Sequence, residues 1–369
     1  MLWPPRTRRF QFAVLLGLVT LAVVLAELGA RAFAVGLVFA VLPVPVYLGL
    51  ALWLDRFEPE PPRVLATIFL WGATVAAALA LAANSVMDAL LREAAGEMGG
   101  VLTSVLWAPV VEEAAKGIAL LLLLRQARDD FDGVTDGVVY AAMVGLGFAM
   151  TENVAYYGRA AVEGPDASVA VFLLRGVVSP FAHPLFTAMT GIGLGVARER
   201  PRSPWALAAP VAGLAAAVLL HAGWNLAASI HDAFVPTYAI IMVPVFVGTL
   251  ALVRRSLDAE ARVLRAQLAP LVAAGLLSRA ELECLCTLRG RAAAVLRAAR
   301  QEGAAGWRRR TALHREVAEL AFTRWRAERD GATIGAVEEA RLVRLRALCV
   351  PLHDAAEPTP APLSPTRGS

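Results

Sequence analysis

Pro109-Val110-Val111-Glu112-Glu113-Ala114-Ala115-Lys116 lies inside an otherwise apolar run, 101–124. At about 1.5 Å per residue, that run is long enough to cross a bilayer. Ionisable groups at mid-membrane cost roughly 2.5–3.5 kcal/mol each on insertion scales, and where they persist they mark a site with a partner. Lys116 is also the only lysine of the chain; the other 34 of the 35 basic residues are arginine. A sequence that avoids lysine everywhere else keeps one at the centre of a membrane helix.

The rest of the chain agrees with a membrane setting. Of 369 residues, 58% are hydrophobic and the mean hydropathy is +0.59, whereas a soluble domain holds about 45–50%. Eight apolar segments can be drawn, at 10–28, 32–54, 64–87, 101–124, 134–157, 169–197, 205–230 and 238–253. Basic residues test that count. With the N-terminus inside, inner segments hold twelve arginines (Arg6, Arg8, Arg9, Arg56, Arg63, Arg125, Arg128, Arg198, Arg200, Arg202, Arg254, Arg255) and outer loops only Arg31, Arg92 and Arg159. The expected fold is all-α: a polytopic bundle of about eight transmembrane helices with both termini cytoplasmic. The first run has no small-residue cleavage site after it and reads as a retained helix.

Beyond 253 the apolar residues become periodic, as in a soluble helical region. The expected division is a cytoplasmic N-terminus (1–9), an eight-helix domain (10–254), a helical cytoplasmic region (255–350) and a disordered Pro-rich tail (351–369). From Arg254 onward there are 20 Arg against 13 Asp and Glu, a net of +7, leaving −3 for the rest. That end suits an anionic lipid surface or an acidic cytoplasmic partner. Nucleic acid is not expected, since there is no nucleic-acid motif or phosphate-binding glycine loop. Cys284, Cys286 and Cys349 form neither a disulfide framework nor a zinc spacing.

Several further polar residues fall within the membrane segments. Glu112 and Glu113 sit four and three residues from Lys116 and share its helix face, which alone could be a structural ion pair. Pro109 removes a backbone bond just upstream. Asp132 and Asp136 lie at an interface, where a solvated helix start explains them. Glu152 and Asn153 form an acid–amide pair near the outer end of the fifth segment. Gly137, Gly145 and Gly147 permit close helix packing. Arg175 can pair with Glu152. Pro180 and Pro184 should kink the sixth segment around His183, which shares a face with Thr187 and Gly191. In the seventh, Asn225 shares a face with His221 and can orient its imidazole, Trp224 reads as a packing aromatic, and His231 as solvated. Four consecutive segments thus each bring a carboxylate or histidine to comparable depth (Glu112 and Glu113, Glu152, His183, His221), which points to one buried site.

These residues resemble the PrsW family of bacterial intramembrane proteases. The family pattern is Glu-Glu-x-x-Lys, Phe-x-x-x-Glu-Asn, His with Gly eight residues on, and His-x-x-Trp-Asn. This chain has Glu112-Glu113-Ala-Ala-Lys116, Phe148-Ala-Met-Thr-Glu152-Asn153, His183 with Gly191, and His221-Ala-Gly-Trp224-Asn225. The likeness covers about 35–255 and extends more loosely to the CAAX prenyl endopeptidase superfamily. It implies a bacterial plasma-membrane enzyme that cuts a membrane-anchored protein, such as an anti-sigma factor, at or near the outer side.

Peptide hydrolysis needs an activated water, a base and a group that stabilises the oxyanion. No serine or cysteine is paired with the histidines. Glu113 or Glu112 is the expected water activator, with His183 and His221 binding or polarising the reacting centre and Lys116, Asn153, Arg175, Trp224 and Asn225 in support. His183, His221 and Glu113 also make a candidate set for a divalent metal such as zinc. A metal-free site is equally compatible, because there is no His-Glu-x-x-His helix. A proton- or cation-coupled transporter would also place such groups at the midplane, although no repeat relates the two halves. A non-catalytic membrane scaffold is the third reading.

Overall fold

The computed structural model describes residues 8–54, 57, 60–127, 131–230, 232–331 and 333–354. Among them the secondary structure is helical throughout. The first seven helices are α1 (Arg8–Leu28), α2 (Ala30–Val41), α3 (Val44–Leu54), α4 (Pro62–Trp71), α5 (Ala77–Ala95), α6 (Glu97–Leu102) and α7 (Ala108–Gln126). Then come α8 (Val134–Glu163), α9 (Pro165–Phe172), α10 (Ala182–Glu199), α11 (Trp205–Ser229), α12 (Phe234–Thr237) and α13 (Val243–Ala273). The last three are α14 (Arg279–Leu285), α15 (Leu288–Asp330) and α16 (Gly335–Asp354). The chain separates into two compact units, 1–55 with 60–256, and 56–59 with 257–369. His231 and the tail beyond Asp354 lie outside the described residues.

Seven helices among the described residues are long and apolar enough to cross a membrane. The expected eighth, in the 101–124 run, is not among the seven. Its helix α7 carries Glu112, Glu113, Lys116 and Arg125 within nineteen residues, so its composition falls short of an ordinary span. In the first unit, α8 is the central helix: 83% of its apolar window is buried, against 17% for α11. Large side chains such as Leu207, Val211, Leu219 and Ile240 stay exposed, which is the expected outside of a bundle solvated by lipid.

Glycine sets how close the helices around α8 come. A Cβ on Gly137 would lie 2.2 Å from the carbonyl oxygen of Gly191, and one on Gly191 would lie 2.0 Å from that of Gly137. α8 and α10 therefore touch backbone to backbone, as small residues allow in membranes. Gly145 does the same about two turns on, where its Cβ would lie 2.8 Å from the backbone nitrogen of Pro184. That contact seats the first turn of α10, and with it His183, against α8.

Four π-helical turns interrupt the helices of this unit, at Gly72–Ala76, Thr103–Trp107, Leu173–Val178 and Tyr238–Met242. A π turn displaces a carbonyl from its usual partner, and inside a bilayer the protein itself must satisfy it. Here Thr151 donates to Ala73 O at 2.7 Å, Asn225 to Ser104 O at 2.8 Å and Tyr47 to Gly176 O at 3.2 Å. The expected break around Pro180 is present: the chain leaves helical geometry at Ser179, and α10 begins at Ala182. At Pro109, by contrast, α7 simply starts one residue earlier.

In the second unit, leucines such as Leu264, Leu268, Leu285 and Leu345 form the core. Ser278 and Thr287 cap α14 and α15 through Glu281 N and Gly290 N. Gly303, at φ +64°, breaks α15 in its interior.

A buried carboxylate–histidine site

Helices α7, α8, α10 and α11 bring the expected residues together inside the first unit. Lys116 is fully buried; its Nζ donates to Glu113 Oε1 at 2.8 Å and to His183 Nδ1 at 3.1 Å, and lies 3.8 Å from Glu112 Oε2. It also sits 3.9 Å over the ring of Phe148. Three anionic or lone-pair groups and an aromatic face thus converge on one ammonium. A buried lysine is tolerated on just such terms.

The two glutamates differ in what is left open. Glu113 is saturated: Oε1 takes Lys116 and His221 Nδ1 (3.1 Å), and Oε2 takes the Thr187 hydroxyl at 2.9 Å. Glu112 Oε1 accepts from Asn84 Nδ2 at 3.2 Å, while its Oε2 is buried with no hydrogen-bond partner. An unpartnered buried carboxylate oxygen costs too much to be idle, and so marks a place for a ligand.

Each histidine is oriented by a carboxylate. His221 Nδ1–H donates to Glu113, which leaves Nε2 as the lone-pair atom, 3.8 Å from Glu112 Oε2. His183 accepts from Lys116 at Nδ1, so its Nε2–H donates to Glu152 Oε2 at 2.9 Å. Arg175 donates to the same Glu152 oxygen at 2.5 Å and to Asn153 Oδ1 at 2.6 Å. The two imidazole rings meet edge to face with centroids 5.0 Å apart, and Phe186 stacks on His221 at 4.8 Å. Trp224 packs behind Phe186, against Phe234 and Tyr238.

Some expected roles change. Asn225 does not reach the imidazole of His221; its amide reaches Ser104 O instead, because the π turn at Thr103–Trp107 leaves that carbonyl to be satisfied. Asp136 Oδ2 accepts from the backbone of Asp132 and Gly133, a cap on α8. Asn84, which the sequence reading did not single out, joins the site from α5. Its only sequence signal was an amide in an apolar run.

Among the described residues, one group of ligand-type atoms lies within 4.8 Å of one another and is wholly buried: Glu112, His183 and His221. The third member is Glu112 rather than Glu113, whose oxygens are already taken. Two imidazoles and a carboxylate with a position left open are the donor set of a catalytic zinc. Glu112 Oε2, which has no hydrogen bond, and the His221 Nε2 lone pair 3.8 Å away fit such an ion, with His183 exchanging its Lys116 bond for it. Next to this group is a cavity of about 460 Å³, lined by Glu112 and Glu152 and also by Asn84, Ser85, Asp88 and Arg92.

The fold and site define a polytopic membrane protein with a buried acid–imidazole centre able to take a metal. Residues 60–249, more than half of the chain, match the family described as "PrsW family intramembrane metalloprotease", and the chain belongs to that family. Protease PrsW of Clostridioides difficile (strain 630) is 30% identical over 156 residues, which cover 42% of this chain and 63% of the relative. Protease PrsW of Geobacillus kaustophilus (strain HTA426) is 28% identical over 149 residues, 39% and 58% of the two chains. Protease PrsW of Bacillus subtilis (strain 168) is 27% identical over 175 residues, 45% and 74%. The chain spans under two thirds of the first two relatives. No solved structure matches it.

Proposed function

We propose that this chain is an intramembrane endopeptidase that hydrolyses a peptide bond of a membrane-anchored protein. The observation that carries the reading is the open Glu112 Oε2, facing His221 Nε2 and grouped with His183 beside a cavity. Glu112, His183 and His221 would hold a divalent metal. Such an ion supplies the positive charge that acidifies a water and polarises a carbonyl. Glu152, which lines the cavity and lies within hydrogen-bond reach of His183, would take the proton of the attacking water and is held in place by Arg175 and His183. Glu113 fixes the tautomer of His221 through Nδ1, as carboxylates do behind metal-bound imidazoles. Lys116 and Thr187 fix Glu113 in turn.

The topology that goes with this function has α7 as an eighth span, both termini in the cytoplasm of a bacterial cell and the site nearer the outer face. Twelve inner against three outer arginines support that orientation. The substrate class is a single-span regulator of the anti-sigma type, as the likeness to the family implies. The arginine-rich end, 254–369, suits anionic lipid on the cytoplasmic side.

The test uses membrane vesicles holding the full chain and a single-span candidate substrate. Glu112→Gln, Glu152→Gln, His183→Ala and His221→Ala should each abolish cleavage while the protein still accumulates. Cleavage that survives loss of both histidines would end the protease reading. Uptake of a labelled solute that depends on these residues would establish the transporter instead.

A further inference from the structure

Asn84 has two ends, and only one is used. Its Nδ2 donates to Glu112 Oε1 at 3.2 Å. A carboxylate oxygen accepts, so this contact fixes which way the amide points. Its Oδ1 is then a buried acceptor with no partner, on a residue that lines the 460 Å³ cavity. Along α5, Asn84, Asp88 and Arg92 follow at four-residue steps, with Ser85 beside them, and all four line the same cavity. Four-residue steps keep one face of a helix. A polar stripe therefore runs from the Glu112 end of the cavity to Arg92, the basic residue in the last turn of α5, across a helix otherwise rich in alanine and leucine.

We propose that this cavity is the cleft in which the substrate's backbone lies extended, and that Asn84 reads it: Oδ1 accepts the N–H of a residue next to the scissile bond while Nδ2 holds Glu112. The inference rests on the protease reading and adds to it a substrate-binding residue and an entry path. A peptide backbone suits the geometry because it supplies an N–H donor beside each carbonyl. One amide side chain can thus take that donor and hold the carboxyl that faces the carbonyl next to it. The polar stripe supplies what a strand leaving its own helix needs, namely hydrogen-bonding groups inside the bilayer in place of water.

Two measurements test it. In a chain with Cys284, Cys286 and Cys349 replaced by serine, Ser85→Cys should react with a membrane-impermeant charged methanethiosulfonate applied to one side of sealed vesicles. Leu79→Cys, a position 49% exposed on the apolar outside of the same helix, should not react. An unreactive Ser85→Cys overturns the cleft. In the second, proline is placed at one position after another around the scissile bond, removing one N–H each time. One position should cost the unaltered enzyme roughly tenfold in kcat/KM, the loss expected for one hydrogen bond to a buried group, and cost Asn84→Ala nothing further. Equal proline costs in the two enzymes overturn the role of Asn84 even if Ser85→Cys is labelled. Absence of any cleavage by the unaltered protein overturns the protease reading itself.

Discussion

Lys116→Met keeps an unbranched side chain only one atom shorter and removes its charge. In the structure the ammonium is fully buried, 2.8 Å from Glu113 Oε1, 3.1 Å from His183 Nδ1, 3.8 Å from Glu112 Oε2 and 3.9 Å from the Phe148 ring. Taking it away leaves two adjacent carboxyl groups of one helix turn without their cation. Breaking a buried pair by removing one partner costs about 3–5 kcal/mol, most of it the exposure of the remaining charge to a medium that cannot solvate it. The effect is read as unfolding free energy of the purified protein in mixed micelles. Glu113→Gln added to Lys116→Met should recover at least half of the loss, since a neutral amide still meets Thr187 and His221 and no longer needs a cation. Lys116→Arg should not substitute, because the planar guanidinium fork is wider than the ammonium and cannot place one charge on Glu113 Oε1 and His183 Nδ1 at once in a fully buried position. A Lys116→Met loss below about 1 kcal/mol, or a double variant no better than the single, would refute the claim that charge compensation holds this turn.

Other substitutions follow from packing and capping. Gly191→Ala sets a Cβ 2.0 Å from a backbone oxygen of α8, which cannot move aside as a side chain would, and should destabilise by at least about 2 kcal/mol. Gly117→Ala, whose nearest neighbour would be Thr190 Cγ2 at 3.5 Å, should instead stabilise α7 by about 0.5–1 kcal/mol. Asp136→Ala removes the acceptor of two backbone N–H groups at the start of α8 and should cost about 1 kcal/mol in the same assay. In the second unit, burial pushes the Cys286 thiol up, so native-state alkylation near pH 8 should modify the partly exposed Cys284 before Cys286. Metal analysis of the purified protein should find one divalent ion per chain, lost with Glu112→Gln, His183→Ala or His221→Ala and kept with Glu113→Gln.

Much of this architecture was legible in the residues because a bilayer makes polar groups costly. Glu112, Glu113, Lys116, Glu152, His183 and His221 stand out against apolar runs, and the structure brings all six into one cluster. The pairing of Arg175 with Glu152 and the packing role of Gly137 and Gly145 follow from charge and size alone. What the sequence could not resolve was competition for partners. Glu112 and Glu113 are equivalent by spacing, and only the positions of Thr187 and Asn84 on other helices decide which keeps an open oxygen. Asn225 shares a face with His221, yet a π turn on a neighbouring helix claims its amide. Such turns have no composition signal. The eighth segment, drawn from apolar length, falls on the helix whose Glu112, Glu113, Lys116 and Arg125 keep it out of the seven that qualify by length and composition.

The most direct test is cleavage by purified components. The full chain and a purified single-span substrate are reconstituted together in lipid vesicles, and the new chain ends are identified by mass spectrometry. The unaltered protein should make one cut within or next to the substrate's membrane segment, and Glu112→Gln incorporated to the same level should make none. Equal cleavage by both proteins would rule out Glu112 as part of the hydrolytic site.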